Sequence, residues 1–302
     1  MVVVAIVGAL ASMSLAACSA SGTPSTPTAP PVATGTPPPS PSARASLATC
    51  PASRSFSSLT VLAHMSNADD LATAPDGSLW ASDAASVLEH LDASGHVLAR
   101  LSDPHVPEGM VVLSDGRLVV AEQGPDRIVV LQPSTARTTT LLQLTPRGGL
   151  AGVDGIAWDA TTGSILVPDS PNGTLLEVDP ATGAVTHLAS GMGRPVGAAV
   201  SPGGGFAVAA ENPAGLWHVP AAGGAKTQLG AVSDADDVVS TGGLLYVTLL
   251  GAQQVRAVDP STGASAVLVN GIGAPQGLTV LPGGRVAVAD STTGTIATLA
   301  GC

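Results

Sequence analysis

Aromatic side chains are nearly missing from this chain, with three Trp, two Phe and one Tyr in 302 residues. Stacking platforms for sugars are built from such rings, so their scarcity speaks against a lectin-like role. A core must then come from small aliphatic side chains. Basic residues are scarce as well. Lys226 is the only lysine, and beyond position 50 ten basic residues face all 22 acidic ones. Nucleic acid and anionic headgroups call for clustered Lys and Arg, so no nucleic-acid partner is expected. The apolar run at residues 2–11 is too short for a permanent membrane-spanning helix. There is no Gly-x-Ser-x-Gly elbow, no zinc-type His-Glu-x-x-His and no phosphate-cradling loop.

What is present at the start has the form of an export signal. The apolar run leads into Leu15, Ala16, Ala17 and Cys18, which resembles a bacterial lipobox, with cleavage before a Cys that becomes acylated. No Lys or Arg precedes Arg44, so the usual basic start is expected upstream of this sequence. Eight prolines between Pro24 and Pro41, mixed with Ser, Thr, Ala and Gly, make residues 18–49 a disordered, polyproline-like tether. At about 3 Å per residue it reaches roughly 90 Å. The expected organisation is a signal peptide at 1–17, the lipidated Cys18 with its linker at 18–49, and a folded domain at 50–302. The expected location is extracytoplasmic, on a bacterial cell membrane. With Cys18 assigned to lipid, Cys50 and Cys302 remain, an even pair that predicts a disulfide in an oxidising compartment.

The folded part repeats. Gly109 to Glu122 (GMVVLSDGRLVVAE), Gly155 to Asp169 (GIAWDATTGSILVPD) and Gly277 to Asp290 (GLTVLPGGRVAVAD) each read as strand, tight turn, strand, acidic residue. Weaker copies start at Asp70, Gly197 and Asp237. The six anchors are spaced by 39, 46, 42, 40 and 40 residues, a period that marks a propeller blade. The pattern predicts an all-β, six-bladed β-propeller of four-stranded antiparallel blades. The last copy lacks a fourth strand, and Leu59 to His64 supplies one, so the N-terminal strand is expected to close the ring and bring Cys50 to Cys302.

These units resemble NHL-type repeats and the senescence-marker-protein/gluconolactonase superfamily. The residues that carry the likeness are Val153 to Asp159, Ile165 to Asp169 with Leu175 to Pro180, and Pro107 to Met110. The resemblance implies a six-bladed propeller and, in its gluconolactonase-like members, a metal held by Glu, Asp and Asn side chains that polarises a lactone or ester carbonyl. Glu108 matches such a Glu by position, and Asp154 or Asp236 the acid–base Asp.

Propeller loops entering the innermost strands share a face with those leaving the second strands. The residues before the anchors are Asp69, Glu108, Asp154, Val196, Asp236 and Gln276; those ending the second strands are Asp83, Glu122, Asp169, Glu211, Leu249 and Asp290. Nine of these twelve are acidic, so oxygen ligands for Ca²⁺ or Mg²⁺ are expected from Asp69, Glu108, Asp154 and Asp236. The bland alternative for the second set is turn capping. His105 lies near Glu108 in sequence and is a candidate base or ligand. His90 and His96 beside Glu89 would suit a streptogramin-lyase-like arrangement, but no matching His and Glu pair follows in a later blade. Trp80, Trp158 and Trp217 fall on expected strands, where packing is the default. The expected function is a monomeric, lipid-anchored binding module for a small molecule or envelope protein; the alternative is a metal-dependent lactonase or esterase.

Overall fold

A computed structural model describes residues 46–83, 86–103, 105–145 and 152–302. The apolar start, Cys18 and the tether through residue 45 lie outside them. Most strands carry small aliphatic residues on both faces, so a sheet built from them must be covered on both sides. Six four-stranded antiparallel blades around an axis meet that demand. In blade two, for example, Leu118 and Val120 pack with Trp80 and Leu88 of blade one, while Val119 and Ala121 pack with Ile165 and Val167 of blade three. Each of the six blade-to-blade seams holds such a cluster. Burial of a Val or Leu contributes about 1.5–3 kcal/mol, and the seams need few rings to supply it.

The innermost strands are Ala68–Thr73, Pro107–Val112, Ala157–Asp159, Pro195–Val200, Ala235–Thr241 and Pro275–Val280. Five of them start two residues before the sequence anchors, because the anchor is the second residue of a bulge rather than the strand's first residue. Turns follow local chemistry. Asp179 accepts the amides of Ala181 and Thr182 at 2.7 and 3.0 Å, and Gly183 closes the turn with φ 72°. Asp259 and Gly263 repeat the arrangement.

Thr60–His64 pairs antiparallel with Thr295–Leu299 and is the outer strand of blade six. The ring is therefore closed by the N-terminal strand, as the repeat count predicts. Cys50 and Cys302 are disulfide-bonded, with Cα atoms 4.0 Å apart at a sequence separation of 252. One element was not legible in the repeat: Arg54–Ser55 adds a short parallel strand to the outer edge of blade five, beside Ser265–Asn270. Ser42–Cys302 forms a compact unit of its own, with every blade and the disulfide inside it.

Candidate functional site

In five inner strands the register shifts near the top, between Ala68 and Leu71, Pro107 and Met110, Pro195 and Gly197, Ala235 and Val238, and Pro275 and Leu278. An extra residue in a strand re-aims its side chains, and here two successive positions of each blade serve different parts of the channel. The first positions are Asp69, Glu108, Val196, Asp236 and Gln276, joined by Asp154 just before the short inner strand of blade three. Asp69, Glu108, Asp154, Asp236 and Gln276 line one cleft of about 150 Å³, together with Gln123, Arg194, Glu211 and Leu250. The four carboxylates singled out from the sequence thus meet in one cup.

The second positions are Asp70, Gly109, Gly155, Gly197, Asp237 and Gly277. They form a neck, and its glycines are dictated by close approach. A Cβ at Gly277 would lie 2.5 Å from Asp70 Oδ1 and 2.6 Å from its Cα, and one at Gly197 would lie 2.8 Å from Asp237 Oδ1. Asp237 pins two blades together: its Oδ1 accepts the amide of Val238 and its Oδ2 the amide of Leu278 in blade six, both at 2.7 Å. Below the neck a wider cavity of about 520 Å³ is walled mostly by aliphatic side chains. Trp158 lines it and is 41% exposed, so the expected packing role holds for Trp80 but not for this ring.

The cup is crowded with like charge. Arg194 Nη2 donates to Asp154 Oδ2 at 2.9 Å, and Nη1 pairs with Glu211. It is the only basic side chain lining the cleft among the described residues. Burial pushes the Glu108 carboxyl up to about 11, and the charges of Asp69 and Asp154 push further in the same direction. Burial, with the charge of Asp154, lifts Asp69 to about 7, even though Glu108 hydrogen-bonds to it. Asp154 is raised to about 6 by burial against the opposing pull of Arg194, and burial lifts Asp236 well above the usual carboxylate range.

These shifts set a pH dependence. A carboxyl raised in the folded state stabilises below its unfolded pKa of about 4, and that contribution is lost as pH rises through the folded value. The loss therefore runs from about pH 4 to about 7 through Asp154 and Asp69, and continues above through Glu108. Turn aspartates oppose it on the acid side. Backbone amides hold Asp179 low, and the Ser261 hydroxyl and amide do so for Asp259, so their contribution is lost as pH falls below about 4. Melting of the chelator-treated propeller should peak near about pH 5 and decline toward pH 8. A temperature that rises steadily from pH 5 to 8 would contradict the crowding.

The acids that end the second strands mostly serve turns. Asp290 accepts the amides of Ala274 and Thr292 at 2.8 and 3.2 Å and the Thr293 hydroxyl at 2.8 Å; Asp169 accepts both contacts of Asn172 Nδ2; Asp83 is bonded by Ser66. Glu211 departs from that pattern by reaching Arg194. Sequence reasoning passed over Arg194, yet a signal existed: blade four has Val196 where other blades carry an acid or Gln, and Arg194 stands two residues before it. His105 is not among the cup residues. Its Nδ1 lies 3.2 Å from Asp103 Oδ1 and 3.7 Å from Glu122 Oε1, so its partners come from the ends of blades one and two. His90 stacks on Trp80 with centroids 4.5 Å apart, and Glu89 pairs with Arg100 at 2.9 Å, which leaves both in scaffold roles. His64 and His187 lie on the outer strands of blades six and three. Among the described residues no helix is long and apolar enough to cross a membrane.

No family model and no curated protein sequence matches the chain. Solved structures do match, and they define the class as a six-bladed β-propeller with gluconolactonase- and regucalcin-like structural neighbours. Regucalcin from Agrobacterium tumefaciens, described as a calcium-binding protein, is similar with TM-score 0.67 and 18% identity, over 80% of this chain and 93% of that one. A gluconolactonase from Xanthomonas campestris gives TM-score 0.65 and 16% identity, over 78% and 86%. Virginiamycin B lyase from Staphylococcus aureus gives 0.62 and 14%, over 79% and 82%. At these identities the likeness is one of fold.

Proposed function

We propose that this protein is a cell-envelope lipoprotein, anchored through Cys18, whose propeller uses its axial cup to hold a divalent cation and to present a binding face to a small molecule or an envelope protein. The observation that carries the reading is the convergence of Asp69, Glu108, Asp154 and Asp236, from four blades, in a cleft where, among the described residues, only Arg194 offsets them. The donor set fits a hard cation, because every ligand atom it offers is a carboxylate oxygen, with Gln123 and Gln276 beside them. Asp69, Glu108, Asp154 and Asp236 would hold Ca²⁺ or Mg²⁺, and such an ion supplies Lewis acidity to a bound carbonyl. The tether would carry the propeller clear of the membrane as a monomer. Nothing in its charge invites nucleic acid.

A second reading, hydrolysis of a lactone or ester, is favoured by one feature of Asp154. Its carboxyl is raised to about 6, in the range where a base works near neutral pH, and Arg194 fixes its orientation. In that reading Asp154 or Asp236 takes the proton from water, and the carboxamides of Gln123 and Gln276 orient the substrate.

The test is metal content and calcium-dependent melting of residues 50–302, comparing the parent with Asp154→Ala. At 100 times Kd a ligand adds about 2.7 kcal/mol, so the parent should gain about 5–10 °C and the variant should not. That result would justify screening lactones and esters. An absent ion with no melting shift would end both cation readings.

A further inference from the structure

Glu122 ends the second strand of blade two and is 1% exposed. Its Oε2 accepts a hydrogen bond from Arg127 Nε, but its Oε1, out of contact with solvent, has no hydrogen-bond partner. A buried acceptor left unpaired costs about 1–3 kcal/mol, so each instance asks for a cause. Oε1 faces the ring of His105, 3.7 Å from Nδ1. The same Nδ1 lies 3.2 Å from Oδ1 of Asp103, itself buried at the end of blade one. One ligand atom from each of the three residues lies within 4.8 Å of the other two.

We propose that Asp103, His105 and Glu122 form a second metal site, for zinc, separate from the axial cup. The geometry points to that ion. Zinc bonds of about 2.0–2.1 Å at tetrahedral angles put neighbouring ligand atoms roughly 3.3 Å apart, and 3.2 and 3.7 Å flank that value. The imidazole distinguishes the site from the all-oxygen cup, since nitrogen suits zinc and Ca²⁺ takes oxygen. The zinc would take the lone pair of His105 Nδ1, leaving the ring proton on Nε2. It would also meet Glu122 Oε1, the atom that lacks a partner. Arg127 holds the other oxygen of Glu122 and so orients the ligand from outside. The loop is fastened: His105 carbonyl accepts the amide of Gly124 at 3.1 Å, and Val106 carbonyl that of Gln123 at 2.9 Å. The His105 side chain is 46% exposed, so three protein ligands leave a fourth position toward solvent, open to water or a ligand donor atom.

The experiment uses the propeller, residues 42–302, stripped with chelator and carrying Asp154→Ala so that the cup is disabled. Zinc is titrated by calorimetry, and Co²⁺ is followed by its visible absorption. The expected result is one equivalent of either ion, with the intense bands of four-coordinate Co²⁺. Affinity should fall by about 10–100-fold in Arg127→Gln, which disturbs only the orienting contact, and by more in His105→Gln or Glu122→Gln. His105→Gln, on an exposed loop, serves as the variant whose melting should match its parent's. Stoichiometric zinc binding that His105→Gln and Glu122→Gln leave unchanged would overturn the proposal, as would no zinc binding at all. Failure of the cup is read separately, because His105→Gln on an intact Asp154 should keep any calcium-dependent melting shift.

Discussion

Replacing Cys50 and Cys302 together with serine should lower the melting temperature of the propeller by about 10–20 °C. A cross-link over 252 residues stabilises by about 5 kcal/mol in the chain-entropy model, near the top of the range seen for disulfides. For a domain of this size each kcal/mol moves the midpoint by about 2–4 °C. The bond sits where the ring is joined. Cys50, Phe56 and Cys302 pack against the seam between blades five and six, and the amide of Cys302 donates to the Tyr246 hydroxyl at 2.8 Å. Thr60–His64 is held in blade six by a single neighbour, Thr295–Leu299. Without the bridge that outer strand can leave before the rest unfolds, and blade six then loses its edge. Thermal melts of the double variant, and of the parent with and without reductant, check this. A shift below about 2 °C would mean that strand pairing alone closes the ring.

Arg194→Gln should have the largest effect at the site, and with two signs. Removing the guanidinium strands Asp154 and Glu211, whose side chains are only 23% and 27% exposed. Breaking a fully buried pair costs about 3–5 kcal/mol; partial exposure here scales that to about 2 kcal/mol. The carboxyl of Asp154, now held down by Arg194, rises further above about 6. Cation binding should strengthen at the same time. The guanidinium lines the same cleft and repels a divalent cation held there, by several kcal/mol even at an effective dielectric of about 20. Even heavily screened, its loss should tighten calcium binding by at least about tenfold at pH 8, where the cup is more fully ionised. Calorimetric titration of the variant decides the matter. Weaker calcium binding would mean that Arg194 orders the ligand carboxylates rather than opposing the ion.

Most of the candidate site was legible because it belongs to the repeat. Asp69, Glu108, Asp154 and Asp236 occupy one blade position, and equivalent positions of a ring meet at its axis. Arg194 and Glu211 stand outside that logic. Each is ordinary in sequence, and they pair only because the turn before blade four faces the end of that blade's second strand. Asp103 and His105 share the short link between blades one and two, and Glu122 joins them from the end of blade two's second strand, a meeting that the blade period does not announce.

By itself the chain determined the number of blades, their strand order, the ring closure by Thr60–His64 and the Cys50–Cys302 bond. All follow from a period near forty residues, from turn chemistry such as that of Asp179 and Gly183, and from cysteines at the two ends of the repeat array. Tertiary structure alone decided how the channel is divided. A one-residue bulge near the top of the inner strands sends Asp69 and Asp236 to the cup and their neighbours Asp70 and Asp237 to the neck and the cavity below. Adjacent carboxylates look alike in a sequence. Only the local break in strand pairing, fixed by packing against Gly277 and Gly197 of the neighbouring blades, gives them different surroundings and so different chemistry.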